Sequence, residues 1–215
     1  MCSGIDGLSA GYCMIVFILE GICFFWYLIE ELIRKGDRKG IQEIADNLWN
    51  QDKDVANDCI KVLYEIGYRR PKLITGYAED FVRLLRGKNN RLVWGAALAL
   101  STIAGIGADQ LFGHIGVIKD AVKKGSVITQ DNGIATLAVI ASKNERYRKT
   151  IFPLLLEHLQ TCRPKEIPQH SEKCLIAVTA KNKSAFVDVL SKRLSPLTSP
   201  QWKRVSKVIK QAEAL

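Results

Sequence analysis

The sequence predicts an all-α protein: a right-handed α-α superhelix of about five helical hairpins, closed by a C-terminal capping helix. Three observations predict it. First, the stretch WGAALALSTIA from Trp94 has counterparts in NDCIKVLYEIG from Asn57, DNGIATLAVIA from Asp131 and HSEKCLIAVTA from His170, with starts 37, 37 and 39 residues apart. Self-similarity at this period marks stacked helical repeats, in which each unit buries its apolar face by packing on its neighbours. Second, apolar positions coincide when the copies are overlaid: Ile60, Ala97 and Ile134; Leu63, Leu100, Leu137 and Ile176; Ile66, Ile103 and Ile140. Within a copy these stand three apart, which puts them on one stripe of a helix. Third, Asp52, Asn89 and Ser126 recur at intervals of 37 just ahead of three of the repeated helices. Side-chain oxygens of these types accept from the free amides of a first helical turn.

Taken in order, residues 1–12 hold turn formers without a helical period and are expected to form an N-terminal extension. A single elongated domain is expected over 13–215. Cys13 to Ile33 is intensely apolar, and between Gly7 and Ile29 its only charge is Glu20. A membrane segment is one reading of it. Against that, Glu20 would sit mid-bilayer at high cost, Glu30 and Glu31 follow at once, and Trp26 and Ile29 stand 37 residues before Leu63 and Ile66. A buried first helix in register with the repeats is therefore expected. Its partner, Gly40 to Asn50, also keeps register, with Ile44 and Leu48 lying 37 before Phe81 and Leu85.

The later second helices carry Phe81, Leu84 and Leu85; Ile118, Ala121 and Val122; Leu155 and Leu159; then Phe186, Val189, Leu190 and Leu194. Hairpin boundaries are expected near 13–50, 52–88, 89–125, 126–162 and 165–195. Gly95 and Gly133 fall inside first helices at almost corresponding sites, where glycine costs on the order of 1 kcal/mol against alanine. Close helix packing is the expected reason. Ser199 opens a last helix with Pro200 placed for its first position; Val205, Val208 and Ile209 are expected to face the stack, and Lys203, Arg204, Lys207 and Lys210 the solvent.

On this periodicity and these core residues the chain resembles the HEAT-repeat family of armadillo-like helical repeats, over roughly residues 13–215. It departs from the common pattern in lacking a proline in the first helix and in the longer lead-in CRPKEIPQ, Cys162 to Gln169. The resemblance implies a curved, non-enzymatic scaffold for a protein or nucleic-acid partner.

Charge is unevenly spread. Residues 1–80 hold 9 Lys/Arg against 13 Asp/Glu, a net −4, whereas residues 81–215 hold 22 against 9, a net +13. Lys119, Lys123, Lys124, Arg146 and Arg148 form the candidate basic patch, suited to an acidic protein surface or a phosphate backbone. Lysines at helix C-termini also complement the macrodipole and keep a surface soluble. No basic run is long, and no RNA-type aromatic motif accompanies one.

Six cysteines form no CxxC pair and are expected to be reduced core thiols of a cytoplasmic protein. Three histidines without an HExxH or a carboxylate cluster give no expectation of a metal. No phosphate loop, dinucleotide fingerprint or nucleophile elbow appears, so neither a catalytic residue nor a cofactor is expected. The sharpest constellation is the row of equivalent positions Asn57, Trp94, Asp131 and His170, with Arg91, Asn132 and Gln169 beside them. Such a row either forms an extended binding site with Trp94 as its anchor, or leaves Trp94 packed between repeats and the others satisfying loops. A partner protein is the main expectation and nucleic acid the alternative. In architecture and basic half the chain is also similar to HEAT-like alkylpurine DNA glycosylases, whose motif finds no residue-by-residue match here. That resemblance implies Asp131 stabilising a cationic sugar, with Trp94 or Trp202 against DNA.

Overall fold

Three of the hairpins begin where a side chain closes a first turn. The computed structural model describes residues 22–215, so the expectations for 1–12 and for Cys13 to Gly21 lie outside the described residues. The helices are α1 (Ile22–Lys35), α2 (Arg38–Asp46), α3 (Lys53–Arg69), α4 (Ala78–Leu84), α5 (Asn90–Ile103), α6 (Ala108–Phe112), α7 (Ile115–Lys124), α8 (Val127–Lys143), α9 (Glu145–Thr161), α10 (Ile167–Cys174), α11 (Lys183–Ser191) and α12 (Ser199–Glu213). Asp52 accepts from the Asp54 amide at 2.9 Å, Asn89 from that of Arg91 at 3.0 Å and Ser126 from that of Thr129 at 3.4 Å. All three recurrent caps act as the sequence predicts. Asp37 and Asn144 cap α2 and α9 in the same way. Gly36, at φ +61°, ends α1: its amide reaches the Ile33 carbonyl and that of Asp37 the Leu32 carbonyl, the paired bonds of a Schellman turn.

The described residues form a helical-repeat fold of alternating first and second helices. They gather into two compact units, one ending at Ile103 and the other spanning Ala104–Leu215. In the first unit α3 packs on α5, and α1 and α2 pack on α3; in the second α8 packs on α7, α9 and α10, while α12 packs on α10 and α11. The predicted stripes are the core: Ile60, Leu63, Ile66, Ala97, Leu100, Ile103, Ile134, Leu137 and Ile140 are all buried. So are Phe81, Ile118, Leu155, Leu159, Phe186 and Leu190 of the second helices. In α12, Val205 and Val208 are buried, and Lys203, Arg204, Lys207 and Lys210 are exposed.

Four details differ from the sequence reading. Ile176, overlaid on Leu137, is 56% exposed, because α10 stops at Cys174 and a 3₁₀ turn over Leu175–Ala177 takes its place. The tighter winding swings Ile176 off the apolar stripe. Trp26, overlaid on Leu63, is 39% exposed and Phe25 is buried in its place, whereas Ile29, overlaid on Ile66, is buried as expected. The second helix of the third hairpin is broken at Gly113 into α6 and α7. Thr198, not Ser199, caps α12, with its amide donating to Gln201 at 3.0 Å. Among the described residues no helix is long and apolar enough to cross a membrane.

The glycines in first helices mark close approach. A Cβ on Gly95 would lie 2.7 Å from Ile60 Cγ1, and one on Gly133 would lie 2.4 Å from Val122 Cγ2. Both neighbours are buried and branched, so they have little room to yield. Overpacking of about 1–3 kcal/mol then outweighs the helix-propensity gain of about 1 kcal/mol. Gly133→Ala is expected to destabilise the protein by about 1 kcal/mol. Gly116→Ala in α7, where no atom stands within 4 Å, should stabilise it by about 0.5 kcal/mol. Urea denaturation of the two variants checks both signs.

Candidate functional site

In the second unit, α8, α9 and α10 bring titratable side chains from distant parts of the sequence into one hydrogen-bonded chain around the buried His170. Asp131, in the second turn of α8, accepts from α10 through both carboxylate oxygens: Oδ1 lies 2.6 Å from His170 Nε2 and Oδ2 2.7 Å from Gln169 Nε2. Lys173, one turn on from Gln169, donates to the Asp131 carbonyl at 2.8 Å. A carboxylate only accepts, so His170 carries its hydrogen on Nε2 and presents Nδ1 as an acceptor. His158 Nε2, 2.8 Å from that Nδ1, fills the position as donor. His170 is fully buried, and the order Asp131–His170–His158 leaves neither of its ring nitrogens unsatisfied.

Burial sets the charge states here. It holds His158 down at about 4, with the neighbouring His170 ring adding to the effect and Glu166 and Asp131 opposing it. Burial also lowers His170, against the hydrogen bond to Asp131 that raises it. Both imidazoles are therefore neutral near pH 7. Cys162, the C-cap of α9, is pushed up to about 11 by burial. His158 and Cys162 stand four apart and so share one face of the helix end. The ligating atoms of His158, Cys162 and His170 all lie within 4.8 Å of one another. A small cavity of about 50 Å³, lined by Lys119, Leu137, Leu154, Glu157, His158 and Thr161 among others, borders the His158 member of this cluster between α7, α8 and α9. Nearby, the guanidinium of Arg193, in the turn that follows α11, donates to the carbonyls of Gln160 and Cys162 and closes the end of α9.

The first unit holds Asn57, Arg91 and Trp94. Asn57 is buried and accepts from Asn89 Nδ2 at 3.1 Å, which ties α3 to the cap of α5. Arg91 stands 3.9 Å from Asp58. Trp94, half-buried on α5, lies against Tyr64 of α3 with ring centroids 6.1 Å apart, and Tyr64 meets Tyr68 edge-on at 6.3 Å. Trp94 is thus one member of an aromatic cluster. In the second unit Asn132 donates back along α8 to the Ile128 carbonyl at 2.8 Å, and Asp131, Gln169 and His170 are the predicted residues in contact with one another there.

Much of the basic patch is internally paired. Lys119 and Lys123 both reach Glu157 at 3.2 Å, and Arg148 reaches Glu145 at 2.8 Å and the Ser142 carbonyl at 3.4 Å. Arg146 lies over the Phe112 ring at 5.3 Å. Lys124 is exposed near the C-terminus of α7. The sequence reading missed the His158–Cys162–His170 cluster and the Arg193 cap. The signal for the cluster was present as H158-x₃-C162-x₇-H170 across the irregular lead-in.

No family model matches the sequence, and no curated protein is found similar to it. Solved structures match along nearly the whole chain. An engineered protein of known crystal structure is 19% identical at TM-score 0.69, over 96% of this chain and 98% of its own. A designed armadillo repeat protein, solved in complex with the peptide (KR)4, is 14% identical at TM-score 0.72, over 95% of this chain and 100% of its own. An archaeal HEAT-like repeat protein from Thermococcus onnurineus NA1 is 13% identical at TM-score 0.54, over 97% and 99%. The chain has the fold of the HEAT and armadillo helical repeats. Its helices repeat as the periodicity of its sequence predicts.

Proposed function

We propose that the protein is a non-enzymatic interaction module that binds a segment of a partner protein, with the aromatic cluster of its first unit as the anchor. The observation that carries this reading is the grouping of Tyr64, Tyr68 and Trp94 on the first helices α3 and α5. Tyr68 is 57% exposed, and Trp94 stands half-buried beside the fully packed Tyr64. Large aromatic side chains held rigidly at a surface supply contact area at little entropic cost, and they dominate the energetics of interfaces. The likeness to designed armadillo proteins, one made for modular peptide recognition and another solved with a bound peptide, supports a peptide-like ligand for this fold.

The pairing of Lys119, Lys123 and Arg148 with carboxylates favours a protein partner over nucleic acid. Those cations already have counter-charges, so a phosphate backbone would have to displace Glu157 and Glu145 before gaining the contacts.

Peptides selected by display on the full-length protein provide the test. Trp94→Ala is expected to weaken the selected peptides by about tenfold or more, the loss typical of an interface anchor. Duplex DNA titrated at about 50 mM and about 200 mM salt should bind far more weakly than the peptides at either concentration. Tight duplex binding that collapses between those salts, and is abolished by neutralising Lys119, Lys123, Lys124, Arg146 and Arg148, would replace this reading with the nucleic-acid one. Asp131→Asn would then be the variant for a base-excision assay.

A further inference from the structure

From the convergence of His158, Cys162 and His170 we infer a transition-metal site: a His₂Cys clip that takes one Zn²⁺ or Cu⁺ ion where α9 meets α10. The ligands are His158 Nε2, Cys162 Sγ and His170 Nδ1, whose atoms lie within 4.8 Å of one another. Around a tetrahedral ion, with metal–nitrogen bonds of about 2.0–2.1 Å and a metal–sulfur bond of about 2.3 Å, such atoms stand about 3.3–3.6 Å apart. The two imidazole nitrogens are 2.8 Å apart and must open by about half an ångström, a change within reach of small ring rotations. The thiol must close in by at most about 1.2 Å, within reach of a χ1 adjustment at the helix end.

The surroundings are those of a ligand set rather than of three chance neighbours. Asp131 Oδ1 holds His170 Nε2 at 2.6 Å and so directs Nδ1 toward His158. A carboxylate on the far nitrogen is the usual device that fixes the tautomer and basicity of a metal-binding histidine. His158 and Cys162 share a helix face, while His170 arrives from α10 across the lead-in that departs from the repeat period. A 3₁₀ turn over Pro164–Glu166 and the Arg163–Glu166 ion pair shape that lead-in. The clip would join the fourth hairpin to the fifth where the sequence departs from its 37-residue spacing.

Two neutral nitrogens and a sulfur select borderline or soft cations over Mg²⁺ or Ca²⁺, which take oxygen ligands. On binding, the hydrogen on His158 Nε2 moves to Nδ1, and the Cys162 thiol proton leaves to solvent. The three protein ligands leave a fourth position for water or a small ligand.

The test uses the full chain, stripped with a chelator and titrated with Co²⁺ and with Zn²⁺ against a chromophoric competitor. One equivalent of Co²⁺ is expected to give intense tetrahedral d–d bands with a thiolate charge-transfer band, and Zn²⁺ should displace it one for one. Cys162→Ser should remove the charge-transfer band and weaken Zn²⁺ by about 100-fold or more. Asp131→Asn should weaken it by about 10–100-fold while keeping one equivalent and the spectrum. Cys59→Ser, and serine at Cys2, Cys13 and Cys23 together, should leave both unchanged. His158→Gln alters only a half-exposed side chain and provides the same test of affinity should Cys162→Ser fold poorly. Absence of stoichiometric binding by the wild type, or a thiolate band that survives Cys162→Ser in the folded protein, overturns the site.

Discussion

Phe186→Ala is expected to destabilise the second unit by about 3–5 kcal/mol, the range found when a fully buried phenylalanine is cut to alanine. Phe186 is fully buried on α11, a helix packed against both α9 and α12. Removing its ring withdraws the transfer free energy of a large apolar side chain and leaves a void between three helices, which cannot close without shifting their backbones. Helical repeats are stabilised by contacts with their sequence neighbours, so the damage should be local in origin. Urea denaturation followed by far-UV circular dichroism reads the loss. Native-state hydrogen exchange should show protection falling most in α9, α11 and α12 and least in α3 and α5. A loss under about 1 kcal/mol would mean that α11 is not a full member of the core.

The repeat core was legible because its determinants are local and periodic. A stripe such as Ile134, Leu137 and Ile140 is readable from a single helix, and three copies at one interval, each preceded by a capping side chain, point to the same stack. The reading failed where one helix departs from the shared template. At Ile176 the overlay carried an α-helical stripe past Cys174, where the chain tightens into a 3₁₀ turn. In α1 the register of α3 holds at Ile29, which is buried as expected, but not at Trp26, whose neighbour Phe25 takes the buried place.

The polar chain from Asp131 to Cys162 was less legible for a physical reason. Sequence overlay compares residues at the same place in different repeats, and so it correctly set Asp131 beside His170 in the candidate row. It is blind to partners that come one from a first and one from a second helix, as His170 of α10 does when it meets His158 and Cys162 of α9. Trp94 shows the same limit: its position was legible, but its neighbour Tyr64 lies on a different turn of a different helix.

Asp131→Ala is expected to cost about 2–3 kcal/mol, the penalty for leaving a buried donor without an acceptor. His170 is wholly enclosed, so water cannot take the place of the lost carboxylate oxygen as it could at the exposed Gln169. Two ways out remain for the orphaned imidazole, and each has a cost. It can shift its hydrogen to Nδ1, which sets two donors against each other at the 2.8 Å contact with His158 unless that ring also changes tautomer. Otherwise α10 must move to admit water, which loosens Ile167, Cys174 and the packing on α8. Asp131→Asn separates the hydrogen bond from the rest of the side chain. Its amide oxygen still accepts from His170 and only the Gln169 contact is lost, so its cost should stay below about 1 kcal/mol. Chemical denaturation of the two variants in the presence of a chelator measures the difference without any contribution from bound metal. Equal losses would show that the carboxylate acts through charge; a loss confined to alanine would show that it acts as the acceptor that keeps His170 in one tautomer.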